Sequence, residues 1–221
     1  MLDDSSDSNP RPEELSATHV VALFPFAIGA VPITARQADL CRGMACWLER
    51  RMSPVPGMDV RLQSILISPQ GAPQLRGWFM TSALWSVEQA LSLPLPDGVS
   101  FTHLIQGQMN WNDDRVEVTM EVIDRAGGYS LGREVARGAP GPDVLIEILG
   151  LLRSTATKIT GSRACGRQVS QRGTSNAEAF EALLMGLAAR QAWQHGLVSA
   201  ENMLGSLLTA MEADPKYREA V

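Results

Sequence analysis

Residues 115–124 constrain the fold more tightly than any other stretch of the chain. Val116, Val118, Met120 and Val122 point one way, while Arg115, Glu117, Thr119 and Glu121 point the other. Such period-two alternation is the mark of a half-buried strand. His103 to Trp111 reads as the preceding strand, joined through the turn Asn112-Asp113-Asp114, and Tyr129 to Arg137 returns as a third after Gly127-Gly128. The result is a β-meander with one apolar and one polar face. A sheet of this kind must have its apolar face covered by another layer.

The flanking segments supply that layer. His19 to Phe26 reads as a buried strand stopped by Pro25. Thr34 and Gln37 form a capping box ahead of a helix carrying Leu40, Met44 and Leu48, which ends before Ser53-Pro54-Val55-Pro56-Gly57. Residues 59–68 read as another strand, closed by Pro69-Gln70-Gly71, and residues 82–93 as a short helix with Leu84, Val87 and Leu91 on one face. After the breaker Gly138 to Pro142, a long helix over 143–159 presents Leu145, Ile148, Leu149, Leu152 and Ile159. The order β-α-β-α-β-β-β-α predicts an α/β (α+β) fold, a mixed sheet of about five strands with three helices on its apolar face.

A helical hairpin is expected beyond this body. Ser175 and Glu178 form a second capping box, and Ala179, Phe180, Leu183, Leu184 and Leu187 mark a helix running to about Gln194. His195-Gly196 is the turn. A second helix over 198–213 carries Met203, Leu204, Leu207, Leu208 and Met211 and stops at Asp214-Pro215. The expected boundaries are a disordered leader at 1–17, an α/β domain at 18–160, a small, polar and basic linker at 161–174, and the hairpin at 175–221. Lys216 to Val221 reads like the start of another helix.

Several functional classes are disfavoured. A net charge of −5, a pI near 5.2 and only two lysines, Lys158 and Lys216, argue against nucleic-acid binding, which needs a concentrated basic face. Cys41, Cys46 and Cys165 form no disulfide framework. With an acidic N-terminus and no long apolar run, the expectation is a cytoplasmic protein without a membrane span. His19, His103 and His195 lie in different elements, none beside Cys, Asp or Glu at ligand spacing, so no metal is expected. No nucleophile elbow, phosphate-binding loop or dinucleotide turn is present. The expectation is a chain that is not an enzyme and takes no cofactor. Glu117 and Glu121 are expected to be solvated on the polar strand face, and Asp113-Asp114 to serve the turn.

Two resemblances rest on specific residues. The hairpin resembles a tetratricopeptide repeat: Met185-Gly186 holds the early Leu-Gly position, Ala210 the late small residue, and Asp214-Pro215 the terminating Pro. Met203 departs from the small residue usual at its place, and the inter-helix turn is lengthened. The α/β part resembles the bacterial domain related to the N-terminal domain of TolB and to FlgO-type proteins. Val21 to Phe26 matches an opening strand of the type VAVLPF, and Gly107 to Gly128 matches a meander of the type GSVRRSGDRVRVTAQLIDAATG. Leu131 stands where relatives commonly carry Trp, and Ala27 to Pro32 replaces a Gly-Asp-rich stretch. The resemblance implies an α/β domain followed by tetratricopeptide-like repeats.

A single repeat cannot bury its hydrophobic face alone. The face of Phe180, Leu183, Leu187, Leu204 and Leu208 must be covered by the α/β domain, a second copy, another protein, or further repeats. Aromatic anchors favour interfaces, and of the five tryptophans Trp78 (with Phe79) and Trp193 are the least core-like. The partner-binding candidates are therefore Trp78, Phe79, Phe180, Leu183, Leu187, Arg190, Trp193, Leu204 and Leu208. The functional expectation is a non-catalytic interaction or scaffolding subunit of a larger bacterial assembly, partnered by other subunits or a second copy. The alternative is a sensory or regulatory module acting in trans on a signalling or transcriptional partner.

Overall fold

The computed structural model describes residues 18–29, 34–63, 83–93, 95, 98–163, 174–194, 196 and 198–215. The expected leader, Trp78, Phe79, Cys165, most of the linker and Lys216 to Val221 lie outside these residues. The elements are β1 (His19–Leu23), β2 (Ala27–Ile28), α1 (Ala35–Met52), β3 (Met58–Leu62), α2 (Val87–Ser92), β4 (His103–Trp111), β5 (Val116–Asp124) and β6 (Tyr129–Gly138). They are followed by α3 (Pro142–Thr160), α4 (Ala177–Gln194) and α5 (Ala200–Ala213).

The fold is mixed α/β with a helical C-terminal region. Its six-stranded sheet runs β3-β1-β4-β5-β6, with β2 also on β4. β3, β1 and β4 are parallel and the meander β4-β5-β6 is antiparallel, so both connection types coexist. The sixth strand comes from Pro25. Leu23 pairs with Ile105 and Ala27 with Gln108, so four steps on one strand match three on the other. Proline cannot donate to the ladder, and the extra residue bulges. The bulge reverses the alternation: Val21 and Leu23, then Phe26 and Ile28, all enter the main core, while Ala22 and Phe24 face the other side.

The main core lies between the sheet and helices α1, α3 and α4, and one continuous cluster holds Met44 and Trp47, Ile148 and Leu152, and Phe180 and Leu184. The capping box at Thr34 and Gln37 starts α1. Pro142 begins α3, where its missing N–H costs nothing. On the opposite face α2 closes a smaller cluster with Phe24, Phe101 and Leu104. It is shorter than expected because Ser86, capping with Gln89, starts it. The α4 cap is Asn176, whose side chain accepts from the Glu178 and Ala179 amides, so the capping residue stands one position after Ser175. Ser199 caps α5 and places its start at Ala200, later than expected.

One corrected expectation concerns the polar face. Glu121 is only 5% exposed, because Gln106 and Arg133 both donate to its carboxylate at 2.8 and 3.1 Å. Gln106 also exchanges two 3.0 Å bonds with the Trp85 backbone, so this network seats the segment leading into α2. Burial of a carboxylate is tolerated here because it is paired and hydrogen-bonded.

Glycine sets the α1–α4 crossing. A methyl group on Gly43 would stand 1.9 Å from the Leu184 carbonyl oxygen, a backbone atom that cannot turn away. Gly43→Ala is expected to destabilise the chain by about 1–3 kcal/mol, the usual cost of overpacking. Gly150, on the exposed side of α3 with nothing within 4 Å, is the matched control. Gly150→Ala is expected to stabilise by about 1 kcal/mol through helix propensity. Urea unfolding of both variants checks the pair; equal effects would contradict the close crossing.

Candidate interaction surface

The hairpin is built outward from α1. Phe180 is 3% exposed and sits 4.9 Å from Trp47, edge to face, and 5.8 Å from Trp111. Leu183 and Leu187 are also buried. Of the coverings open to this face, the chain's own α/β body supplies the one in place. Phe180, Leu183 and Leu187 are thus core residues rather than partner contacts, because α1 and the end of β4 already enclose them.

The second helix packs on α4 through small residues. A methyl on Gly186 would meet the Leu207 side chain at 2.5 Å, and Ala210 is fully buried. The open end of the hairpin is tied by side chains: Thr174 donates to Asp214 at 2.6 Å and Asn176 to the Ala213 carbonyl at 3.0 Å. These contacts set the rotation of α5 and leave a ridge outside. Leu204 is 51% exposed, Leu208 54% and Met211 37%, spaced i, i+4, i+7 on one stripe. Trp193, near the end of α4, is 45% exposed. Arg190 is exposed as well and lines a cavity of about 260 Å³ with Cys46, Glu49 and Gln191. Of the seven candidates among the described residues, Arg190, Trp193, Leu204 and Leu208 therefore reach solvent.

The charge around this surface is one-sided. Residues 174–215 carry five carboxylates, Glu178, Glu181, Glu201, Glu212 and Asp214, against the single cation Arg190. A larger cavity of about 570 Å³ lies on another flank of the hairpin, floored by Trp111, Pro140 and Met185 and rimmed by Asp113, Glu178 and Glu181. Arg36 spans that rim, 2.7 Å from Glu181 and 3.6 Å from Asp113.

Burial perturbs several titratable groups elsewhere in the fold. Burial pushes the Cys41 and Cys46 thiols up to about 12, which removes thiolate at neutral pH. Burial also raises Glu49, against the opposing hydrogen bond from the Leu62 amide. Among the described residues no group of three or more His, Cys, Asp or Glu could hold a metal ion, and no helix is long and apolar enough to cross a membrane.

No protein-family model matches the chain, and no curated protein matches it. Among solved structures, the chain is similar to TolB from Acinetobacter baumannii at 13% identity and a TM-score of 0.36, over 65% of this chain and 29% of that one. The chain thus spans just under a third of that TolB structure. It is also similar to a PelC variant from Paraburkholderia phytofirmans, described as a dodecamer, at 16% identity and a TM-score of 0.33, over 67% of this chain and 87% of that one. TolB is thus among the structural neighbours. At this distance neither likeness assigns a function.

Two predictions separate core from surface. Phe180→Ala is expected to cost about 3–5 kcal/mol in urea unfolding, as for a fully buried aromatic. Leu208→Ser is expected to stay within about 0.5 kcal/mol of the parent, as for a solvent-facing residue. A further prediction concerns His103, 5.2 Å from His19 ring to ring. Burial lowers the His103 pKa below its ordinary 6.5, and His19 adds to this against the opposing Asp124 charge. The folded state therefore refuses a proton that the unfolded chain accepts, so this stability is complete above about pH 6.5 and declines as pH falls through that value. His103→Gln is expected to flatten the loss of unfolding free energy between pH 7.5 and 5; an unchanged slope would contradict it.

Proposed function

We propose that the chain is a non-catalytic protein-interaction or scaffolding subunit, with the tetratricopeptide-like hairpin presenting its outer helix to another protein. The observation that carries this reading is the Leu204, Leu208 and Met211 ridge, apolar and exposed on a helix whose opposite side is already packed. Isolated exposed leucines are ordinary, but a continuous stripe at helical spacing is the form in which helix-in-groove recognition presents its anchors. The paired carboxylates and buried thiols support the same reading, since each has a structural occupation. The α/β body then acts as the rigid mount that holds the hairpin at fixed rotation.

The test is site-specific photo-crosslinking in cells, with the reactive residue at Leu204 or at Ile146. Ile146 is 63% exposed on α3 and serves as the matched apolar control. A discrete adduct with a different protein is expected from the α5 position alone, and it should disappear when Leu208→Asp is added. Equal adducts from both positions, or none from either, would sink the proposal.

A further inference from the structure

The ridge is not charge-neutral ground. On a helical wheel of about 100° per residue, Glu201 and Glu212 fall beside Leu204, Leu208 and Met211, one near each end of α5. Both glutamates are exposed, and α5 contains no Lys or Arg. Gly205 lies on the same flank with nothing within 4 Å of where its Cβ would be. A glycine in an exposed helix interior costs about 1 kcal/mol relative to alanine. No contact among the described residues offsets that cost.

The carboxylates decide what can lie there. Two copies meeting antiparallel through α5 would bring Glu201 of one against Glu212 of the other. Meeting in parallel, they would leave the glutamates at opposite edges of the contact, with no Lys or Arg of the partner helix to face them. The antiparallel pair sets like charges at the rim and the parallel pair leaves each carboxylate without a counter-charge, whereas a basic helix supplies one. An anionic lipid surface meets the same objection.

Resting on the interaction reading above, we infer that the α5 ridge receives an amphipathic helix of a different protein, carrying apolar anchors at i, i+4 and i+7 and Lys or Arg at its ends. The leucines supply the buried area, and Glu201 and Glu212 favour basic over acidic helices. Exposed ion pairs add little affinity, so the charges act mainly on partner choice and association rate.

The probe is a labelled synthetic helix with leucines at i, i+4 and i+7 and lysines at both ends, compared with the same peptide carrying glutamates instead. Binding to the full-length chain is read by fluorescence anisotropy. The basic peptide is expected to bind at least about tenfold tighter than the acidic one at low salt, with the preference shrinking at high salt as screening sets in. Leu208→Asp should abolish binding, and Glu201→Lys with Glu212→Lys should reverse the preference while far-UV spectra and melting stay unchanged. Failure of both peptides to bind, equal binding of the two, or binding that survives Leu208→Asp would overturn the inference. So would self-association lost in Leu208→Asp, vesicle binding through the ridge, or protection of α5 that vanishes on removing residues 216–221. Crosslinks from Leu204 that persist in the charge-reversed chain would overturn this inference and leave the scaffolding reading intact. Loss of all crosslinks in the parent would remove both.

Discussion

The close approach of α1 and α4 at Gly43 is the contact on which the rest of the arrangement hangs. Without a side chain there, the Leu184 backbone lies directly over α1. That proximity lets Phe180 reach the notch between Trp47 on α1 and Trp111 at the end of β4. An aromatic ring of this size buries roughly 150–250 Å², enough to dominate a local packing energy. Because Trp111 belongs to the sheet, the hairpin is joined to the central layer itself and not only to its covering helix. Helix α4 consequently has neighbours on several sides: Phe180 and Leu184 face α1, and Gly186 faces α5. It behaves as a core helix, with apolar residues around most of its circumference. The amphipathic, surface-layer role passes to α5.

Elements whose signals are local were legible in the sequence. Arg115 to Asp124 alternates because one face is buried, and Asn112 closes the turn by accepting from the Asp114 and Arg115 amides. The Thr34–Gln37 box starts α1 as expected. What escaped depends on register or on distant neighbours. Pro25 signals a strand end in sequence, yet parallel pairing with β4 on both sides of it turns the interruption into a bulge. Glu121 follows the polar pattern of β5, and nothing within β5 announces that Gln106, fifteen residues earlier, and Arg133, on the next strand, will enclose it. The same limit governs the candidate surface. Phe180, Leu183 and Leu187 have the spacing of a docking face whether their cover is α1 or another protein, since periodicity reports that a face is covered and not by what. Trp193 and Leu208 share that ambiguity, and only the rotation of each helix resolves it.

That rotation explains why leucines remain in water. Turning α5 to bury Leu204 and Leu208 would have to place them where Leu207 and Ala210 now sit. The space there is defined by Gly186, against which Leu207 already rests, and by the fully buried Ala210. At the far end, Thr174 and Asn176 hold Asp214 and the Ala213 carbonyl, so rotation would break two hydrogen bonds as well. A buried polar group left without its bond costs more than the bond itself contributes. Packing and clamping therefore agree on one orientation, and its consequence is an apolar ridge with a carboxylate beside each end. Each half-exposed leucine forgoes about 1–1.5 kcal/mol of burial, roughly half the value of full burial, that a suitably shaped neighbour could still recover. The chain has invested its close-packing residues, Gly43, Gly186 and Ala210, on the inner seams. It leaves the recoverable burial on the outermost helix, where another helix can reach it without disturbing the core.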